Sequence, residues 1–146
     1  KASETALVRL VADRPRYGEA GTPHHVFPAS PQALQELTGA TLAGMGRDEE
    51  VRTLLFALAA EGRAVGEAVG ARFRVTAERR LQAAFEVGEH KTSMLQDLER
   101  GRPLEIDALV SAVAELGRTA GVATPLLDAV LALVKLRART AGLYAP

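Results

Sequence analysis

The sequence predicts an all-α fold of about six helices, and three observations support this class. Apolar residues recur at alternating three- and four-residue steps, the spacing that places side chains on one face of a helix. Residues that commonly cap helices stand at the ends of these apolar stripes. No pair of alternating apolar runs joined by a tight turn indicates a β-hairpin, and no internal repeat indicates a solenoid. We therefore expect one helical domain.

Length and composition limit the class of protein. The 146 residues suffice for one domain with a single core, and 47% hydrophobic with 25% charged residues is typical of globular proteins. Lys plus Arg and Asp plus Glu both number 18, so we expect binding to neither nucleic acid nor an anionic membrane. The absence of cysteine excludes disulfides, thiolate metal sites and cysteine nucleophiles, and it favours a cytoplasmic protein. No run approaches the roughly 20 apolar residues of a membrane span.

Residues 1–30 are predicted to form an N-terminal element and a loop. The stretch SETALVRLVAD fits a helix or a short strand. From Arg14 to Ser30 the chain holds three of its seven prolines and two glycines without a helical stripe, which is typical of a loop or linker. The helical domain is therefore expected to span residues 31–146.

Three helices are predicted in the first half of this domain. Ser30–Pro31 suits the cap and first position of a short helix. A long helix has Asp48 as its N-cap and ends before Gly70, which readily adopts the left-handed conformation. Thr76 is predicted to cap a third helix. The residues expected on the inner faces are Leu34 and Leu37 in the first helix, Val51, Leu54, Leu55, Leu58, Gly62, Val65 and Val69 in the second, and Leu81, Ala84 and Phe85 in the third.

Three more helices are predicted in the second half. One ends at Gly101, the next begins near Glu105 and ends at Gly121, and the last begins with Thr124–Pro125 as cap and first position. Their inner faces are expected to carry Met94, Leu95 and Leu98, then Ile106, Leu109, Val110, Val113 and Leu116, then Leu127, Val130, Leu131 and Val134.

The segment KTSMLQDLERGRPLEID, residues 91–107, joins two of these helices by a tight corner. Gly101 suits the position after a helix, and Pro103 prevents that helix from continuing. The corner brings Ser93 within reach of Glu105 across a groove, so that both residues would line one pocket. The spacing alone favours a simpler interpretation, in which Glu105 only charges the positive end of the next helix.

The same segment closely resembles the signature S-S-M-L-Q-D-x-x-x-G-R-x-T-E-I-D of the ketopantoate reductase (2-dehydropantoate 2-reductase) family. Two other stretches are also similar to that family: LTGATLAG with the long helix after it, and GVATPLLDAVLALVK near the end. The resemblance covers Leu37 to Leu136, about two-thirds of the chain. It implies the family's all-helical C-terminal domain, which is 6-phosphogluconate dehydrogenase C-terminal-like, together with a small-molecule ligand and a homodimer.

The resemblance also implies roles for individual residues. In the family the Ser before Met binds the polar end of the substrate, and the Glu of E-I-D assists at the reacting hydroxyl or carbonyl. These roles fall here on Ser93 and Glu105. Arg102 at the corner is expected either to hold an acidic ligand or to remain solvated. Asp97 and Asp107 also match the signature, and we interpret them as structural residues that cap or pair.

Two features of the family are missing from the sequence. No G-x-G-x-x-G turn is present, so NADPH is expected only if a separate dinucleotide-binding domain supplies its site. The family's proton-donating Lys lies on a helix that reads K-x-x-x-N-x-x-x-N-P-L-T-A-L, and its three polar positions fall on His24, Pro28 and Gln32. Gln32 is a candidate substrate-binding residue. His24 either supplies acid–base chemistry in place of the Lys or is an exposed loop histidine beside His25, and without a third ligand the pair predicts no metal site.

Three functions remain open on the sequence. The preferred one is a stand-alone domain that keeps a small-molecule pocket for cofactor-independent acid–base chemistry on a small carbonyl or hydroxy compound, such as cyclisation, isomerisation, dehydration or decarboxylation. The alternative is the substrate-binding and dimerising half of an NADPH-dependent 2-dehydropantoate 2-reductase-like enzyme. The third is a non-catalytic module that binds a ligand or a protein. Whether the chain is an enzyme, and whether it is full length or an excised domain, both stay open.

Overall fold

The computed structural model describes residues 29–104 and 106–144. Within these ranges the chain forms seven α-helices and no strand, which confirms the all-α prediction. The N-terminal element expected before residue 29 lies outside the described residues. The helices are α1 (Ala29–Thr38), α2 (Leu42–Arg47), α3 (Glu49–Ala68), α4 (Ala77–Glu86), α5 (Ser93–Glu99), α6 (Ala112–Ala120) and α7 (Pro125–Thr140).

Helix α1 lies at the centre of the domain and is buried on every side. Ala33, Leu34, Gln35 and Glu36 are each 5% exposed or less, and four consecutive helical residues point in four different directions. Helices α3, α5 and α7 pack around α1. A helix buried all round is normally apolar all round, so the side chains of Gln35 and Glu36 are unusual in this position.

Helix α3 forms the long wall of the domain, and its start follows the prediction. The Asp48 carboxylate accepts a hydrogen bond from the Val51 backbone N–H at 2.9 Å, which satisfies one of the free donors at the helix start. Gly62 is buried on the inner face, as its place in the stripe predicts. Val69 is an exception: the helix ends at Ala68, and Val69 is 36% exposed rather than buried.

Helix α7 begins at the predicted residue but is capped by a different one. Pro125 is its first residue, yet the Thr124 side chain makes no capping hydrogen bond. The backbone of Thr124 is not in the extended conformation that normally lets a cap side chain turn back to the helix (φ −130°, ψ 56°). Instead the Glu61 carboxylate, from α3, accepts hydrogen bonds from the backbone N–H groups of Leu126 at 3.0 Å and Leu127 at 2.9 Å.

The corner after α5 has the predicted glycine geometry. Gly101 adopts φ +67°, and its N–H donates to the carbonyl of Leu98, while the N–H of Arg102 donates to the carbonyl of Asp97. These two bonds satisfy carbonyls that the end of the helix leaves free. Beyond the corner, a wider π-helical turn, Asp107–Ser111, precedes α6, where the sequence predicts one continuous helix. None of the helices in the described part of the chain is long and apolar enough to cross a membrane.

Candidate functional site

The segment that leads into Ser93 is tied to the helices that precede it in the chain. The Leu42 N–H donates to the carbonyl of His90 at 3.3 Å, and the Ala43 N–H donates to the carbonyl of Gly88 at 3.1 Å. The Glu89 carboxylate accepts from the Thr41 hydroxyl at 2.6 Å and pairs with Arg47 at 3.1 Å, and these bonds lower the pKa of Glu89. The loop between α4 and α5 is therefore held against α2.

Gln35 adds a second attachment from the buried side of the same loop. Its side-chain N–H donates to the carbonyl of His90 at 3.0 Å, and its side-chain oxygen accepts from the N–H of Thr92 at 2.9 Å. Ser93 follows directly as the first residue of α5 and is exposed. The side chain of Ser93 is thus exposed to solvent, while the backbone of the loop before it is bonded to the buried helix α1.

Three side chains close to this region keep buried polar atoms without a hydrogen-bond partner among the described residues. They are the side-chain oxygen of Gln32, both carboxylate oxygens of Glu36 and the hydroxyl of Thr92. Gln32 and Glu36 stand one helical turn apart on α1, so their side chains lie on one face. Burial raises the pKa of Glu36 to about 7, and the guanidinium of Arg137 on α7 acts in the opposite direction.

Asp97 and Asp107 of the signature segment form pairing contacts, the role that the sequence predicts for them. Asp97 forms an ion pair with Arg102 at 3.6 Å. Asp107 accepts hydrogen bonds from the hydroxyls of Ser111 at 2.6 Å and Tyr144 at 2.9 Å and forms an ion pair with Lys135 at 3.4 Å. The Ser111 hydrogen bond is the largest of the effects that lower the pKa of Asp107. Arg102 is 60% exposed, so its guanidinium remains open to solvent beside Asp97.

The C-terminal tail closes over the corner between α5 and the π turn. The N–H of Leu104 donates to the carbonyl of Leu143 at 3.2 Å, while Tyr144 reaches Asp107 as described above. The Lys135 ammonium lies 5.8 Å from the centre of the Tyr144 ring, within reach of a cation–π contact. Leu104 and Asp107, which lie before and after position 105, are thus both bonded to the tail.

The predicted site residues are only partly placed by the structure. Gln32 lies on α1 and Ser93 at the start of α5, two helices that pack together, and Arg102 lies at the corner after α5. Glu105 and His24 lie outside the described residues. Sequence patterns missed Gln35 and Glu36, since a polar pair between two leucines normally faces water. Only the central position of α1 shows that both are buried.

The described residues do not fit a dinucleotide cofactor. A dinucleotide cradle needs a strand followed by a glycine-rich turn at a helix N-terminus. In residues 29–104 and 106–144 there is no strand, and the six glycines with positive φ follow the C-terminal ends of helices. Nor do these ranges contain a cluster of three or more side chains suited to hold a metal ion.

Comparisons with known proteins agree with the signature. Residues 25–138 match the family model described as "Ketopantoate reductase PanE/ApbA C terminal". A 2-dehydropantoate 2-reductase of Mesorhizobium japonicum is 56% identical over 111 residues, which cover 76% of this chain and 34% of that protein. The chain therefore spans about a third of the length of this curated relative.

Solved structures show the same fold. A crystal structure described as a ketopantoate reductase from Ralstonia solanacearum is 39% identical with a TM-score of 0.76, covering 82% of this chain and 36% of that one. A dimeric ketopantoate reductase from Staphylococcus aureus is 24% identical with a TM-score of 0.70, covering 80% and 42%, and this likeness shows the fold alone. Family model, curated relative and fold agree: the chain belongs to the ketopantoate reductase family, of which it carries the all-helical C-terminal domain.

Proposed function

We propose that this chain is the substrate-binding domain of an NADPH-dependent reductase that acts on 2-dehydropantoate or a closely related 2-keto acid. The observation that carries the proposal is the 56% identity with a 2-dehydropantoate 2-reductase of which this chain spans only a third. The rest of such a protein is expected to hold the cofactor. The cofactor-independent chemistry that the sequence favoured has no support in these comparisons.

The proposal gives each candidate residue a chemical task. Ser93 donates a hydrogen bond to the polar end of the substrate, and its exposed position at the start of α5 suits this task. Arg102, open to solvent at the corner, attracts the carboxylate of the keto acid. Gln32, half-buried on α1, is the third candidate for substrate binding. Glu105 acts at the reacting carbonyl, and His24 takes the place of the family's Lys as proton donor.

A fusion protein tests this function directly. All 146 residues of this chain would take the place of the matched region of the Mesorhizobium reductase, and the product would be assayed for NADPH-dependent reduction of 2-dehydropantoate. We expect activity, because the inserted chain carries Ser93, Arg102 and Glu105. In the same fusion, Glu105→Gln should lower kcat at least about a hundredfold, the usual contribution of a positioned acid or base.

The matched control is Glu86→Gln, which removes an exposed carboxylate on α4 and should leave the rate unchanged. In the same fusion, His24→Ala should lower kcat as well, because it removes the proposed proton donor. A fusion that folds and binds NADPH but reduces no 2-dehydropantoate would refute the proposed function.

Self-association belongs to the same proposal. Leu126, Leu133 and Leu136 lie on α7 and are 37%, 55% and 57% exposed. Leucines seven and ten residues apart lie along one side of a helix, so the three form an apolar strip on the outer face of α7. We propose that this outer strip of α7 contacts a second copy of the chain, as the family resemblance implies.

A further inference from the structure

A fully buried glutamine in contact with the loop before Ser93 has no assigned role. Gln35 is 0% exposed, and both ends of its amide are used: the nitrogen donates to the carbonyl of His90, and the oxygen accepts from the N–H of Thr92. Burying an amide is costly unless its hydrogen bonds are made, and here both ends of the amide are bonded.

The pattern of these two bonds is that of a β-bridge. In parallel strands, the N–H and the carbonyl of one residue bond to the two residues on either side of its neighbour in the adjacent strand. The Gln35 amide does the same with His90 and Thr92, the residues on either side of Lys91. The side chain therefore acts as one peptide unit of a partner strand and fixes the loop in an extended conformation, in which Thr92 has φ −65° and ψ 161°.

The direction of that loop decides where Ser93 lies. Thr92 is the N-cap residue of α5, and its side chain makes no capping hydrogen bond, so the usual local anchor of a helix start is absent. In place of a side-chain cap, α1 supplies Gln35, whose side-chain oxygen accepts a hydrogen bond from the Thr92 N–H. A shift of the Thr92 backbone would move the whole first turn of α5, including Ser93.

We propose that Gln35 is a positioning residue that sets the position of Ser93 for substrate binding, by bonding the loop residues His90 and Thr92 to the central helix. The proposal deepens the proposed function, since it rests on Ser93 as a substrate-binding residue. Gln35 itself touches no substrate: it is fully buried, and its two bonds point at the loop backbone.

The test is a double-mutant cycle on the full chain, with pantoate, the product of 2-dehydropantoate reduction, as the probe. Gln35→Leu keeps the approximate volume of the side chain and removes both bonds. Affinity for pantoate is measured by NMR titration in the wild-type chain, Gln35→Leu, Ser93→Ala and the double variant. We expect each single variant to weaken binding by about three- to tenfold, the value of one hydrogen bond. The double variant should bind no more weakly than Ser93→Ala alone, because Gln35 acts through Ser93.

Two controls separate positioning from loss of stability. Leu34→Ala removes a buried neighbour on the same helix and should lower the melting temperature without moving the NMR signals of Ser93. Gln82→Leu removes an exposed glutamine from α4 and should change neither property. Gln35→Asn keeps the amide but shortens the reach, and it should restore neither the Ser93 signals nor the affinity.

The outcomes distinguish this inference from the function on which it rests. If Gln35→Leu weakens binding equally with and without Ser93, or leaves the Ser93 signals of the free chain unmoved, the positioning role is wrong. If Ser93→Ala leaves pantoate affinity unchanged, the proposed role of Ser93 is wrong. In that case the Ser93 signals of the free Gln35→Leu chain still decide whether Gln35 positions that residue.

Discussion

Glu36, on the buried central helix, is a carboxyl group without a hydrogen-bond partner in residues 29–104 and 106–144. Its pKa in the folded chain is raised from the ordinary 4.5 to about 7. Between these two values the folded chain keeps a proton that the unfolded chain releases. This extra proton stabilises the folded chain relative to the unfolded chain. The stabilisation is therefore complete below pH 4.5 and is lost as the pH rises through about 7.

We predict that Glu36→Gln removes this pH dependence. The wild-type free energy of unfolding should fall by on the order of 1–3 kcal/mol between pH 4.5 and pH 8 relative to that of the variant, measured by urea titration. The variant should be the more stable protein at pH 8, because it buries no charge. Glu86→Gln, at an exposed carboxylate, serves as the control. Parallel pH curves for wild type and Glu36→Gln would show that Glu36 is normally ionised.

Residue by residue, the sequence predicted those positions whose role depends on local spacing. Asp48, Thr76 and Gly101 lie at helix ends in the expected roles, because a cap contacts residues two to five positions away. Gln35 and Glu36 were not recognised as buried, since residues far along the chain surround them: the partners of Gln35 follow it by 55 and 57 residues, and Arg137 on α7 acts on Glu36. Such distant partners leave no trace in the spacing of the segment itself.

At the scale of elements, the start of α7 shows how a correct boundary was predicted for the wrong reason. Thr124–Pro125 fits the pattern of a cap and first helical residue, and the helix does begin at Pro125. The bonds that satisfy its first N–H groups come from Glu61, on another helix. A negative carboxylate at this end also interacts favourably with the helix dipole.

This difference gives a test with two substitutions. Glu61→Ala should lower the free energy of unfolding by about 1–2 kcal/mol, the usual cost of losing a cap. Thr124→Val, which keeps the shape of a buried side chain and removes the hydroxyl, should cost less than Glu61→Ala. Chemical denaturation of both variants measures the two values. If Thr124→Val lowers the free energy of unfolding more than Glu61→Ala does, the local cap that the sequence predicted is the one that stabilises the helix.

For the whole molecule, the outer strip of α7 predicts self-association. Leu133→Glu together with Leu136→Glu should convert the chain to a monomer, because a charged side chain in an apolar contact loses its hydration. Light scattering over a tenfold dilution series measures the mass. Val87→Glu, at an exposed valine on the residue that follows α4, is the control and should leave the mass unchanged. A wild-type chain that is monomeric throughout the series contradicts the prediction.

The overall architecture was easier to predict than the function. Helical stripes are local and numerous, so the all-α class follows from the sequence even though the short helix α2, with two glycines in LAGMGR, was missed. The family followed from the resemblance of residues 91–107 to its signature. The function that we preferred on the sequence was not supported by the comparisons, because we had counted the missing Lys and the missing cofactor motif as evidence against a reductase. The chain covers about a third of its relative, and that share accounts better for the missing cofactor motif.

The enclosed position of α1 has a consequence for biosynthesis. Several of its hydrogen-bond partners are made late. The carbonyl of His90 and the N–H of Thr92 follow Gln35 by 55 and 57 residues. Arg137 follows Leu37, to whose carbonyl it donates, by 100 residues. A ribosome therefore completes α1 and α3 well before α5 and α7, the other two helices that cover α1. Contacts between distant residues form slowly, so the polar side chains of α1 stay hydrated until α5 and α7 arrive. A chain that stalls before α7 leaves α1 without one of the helices that cover it, and we expect such a fragment to be an early substrate for proteases.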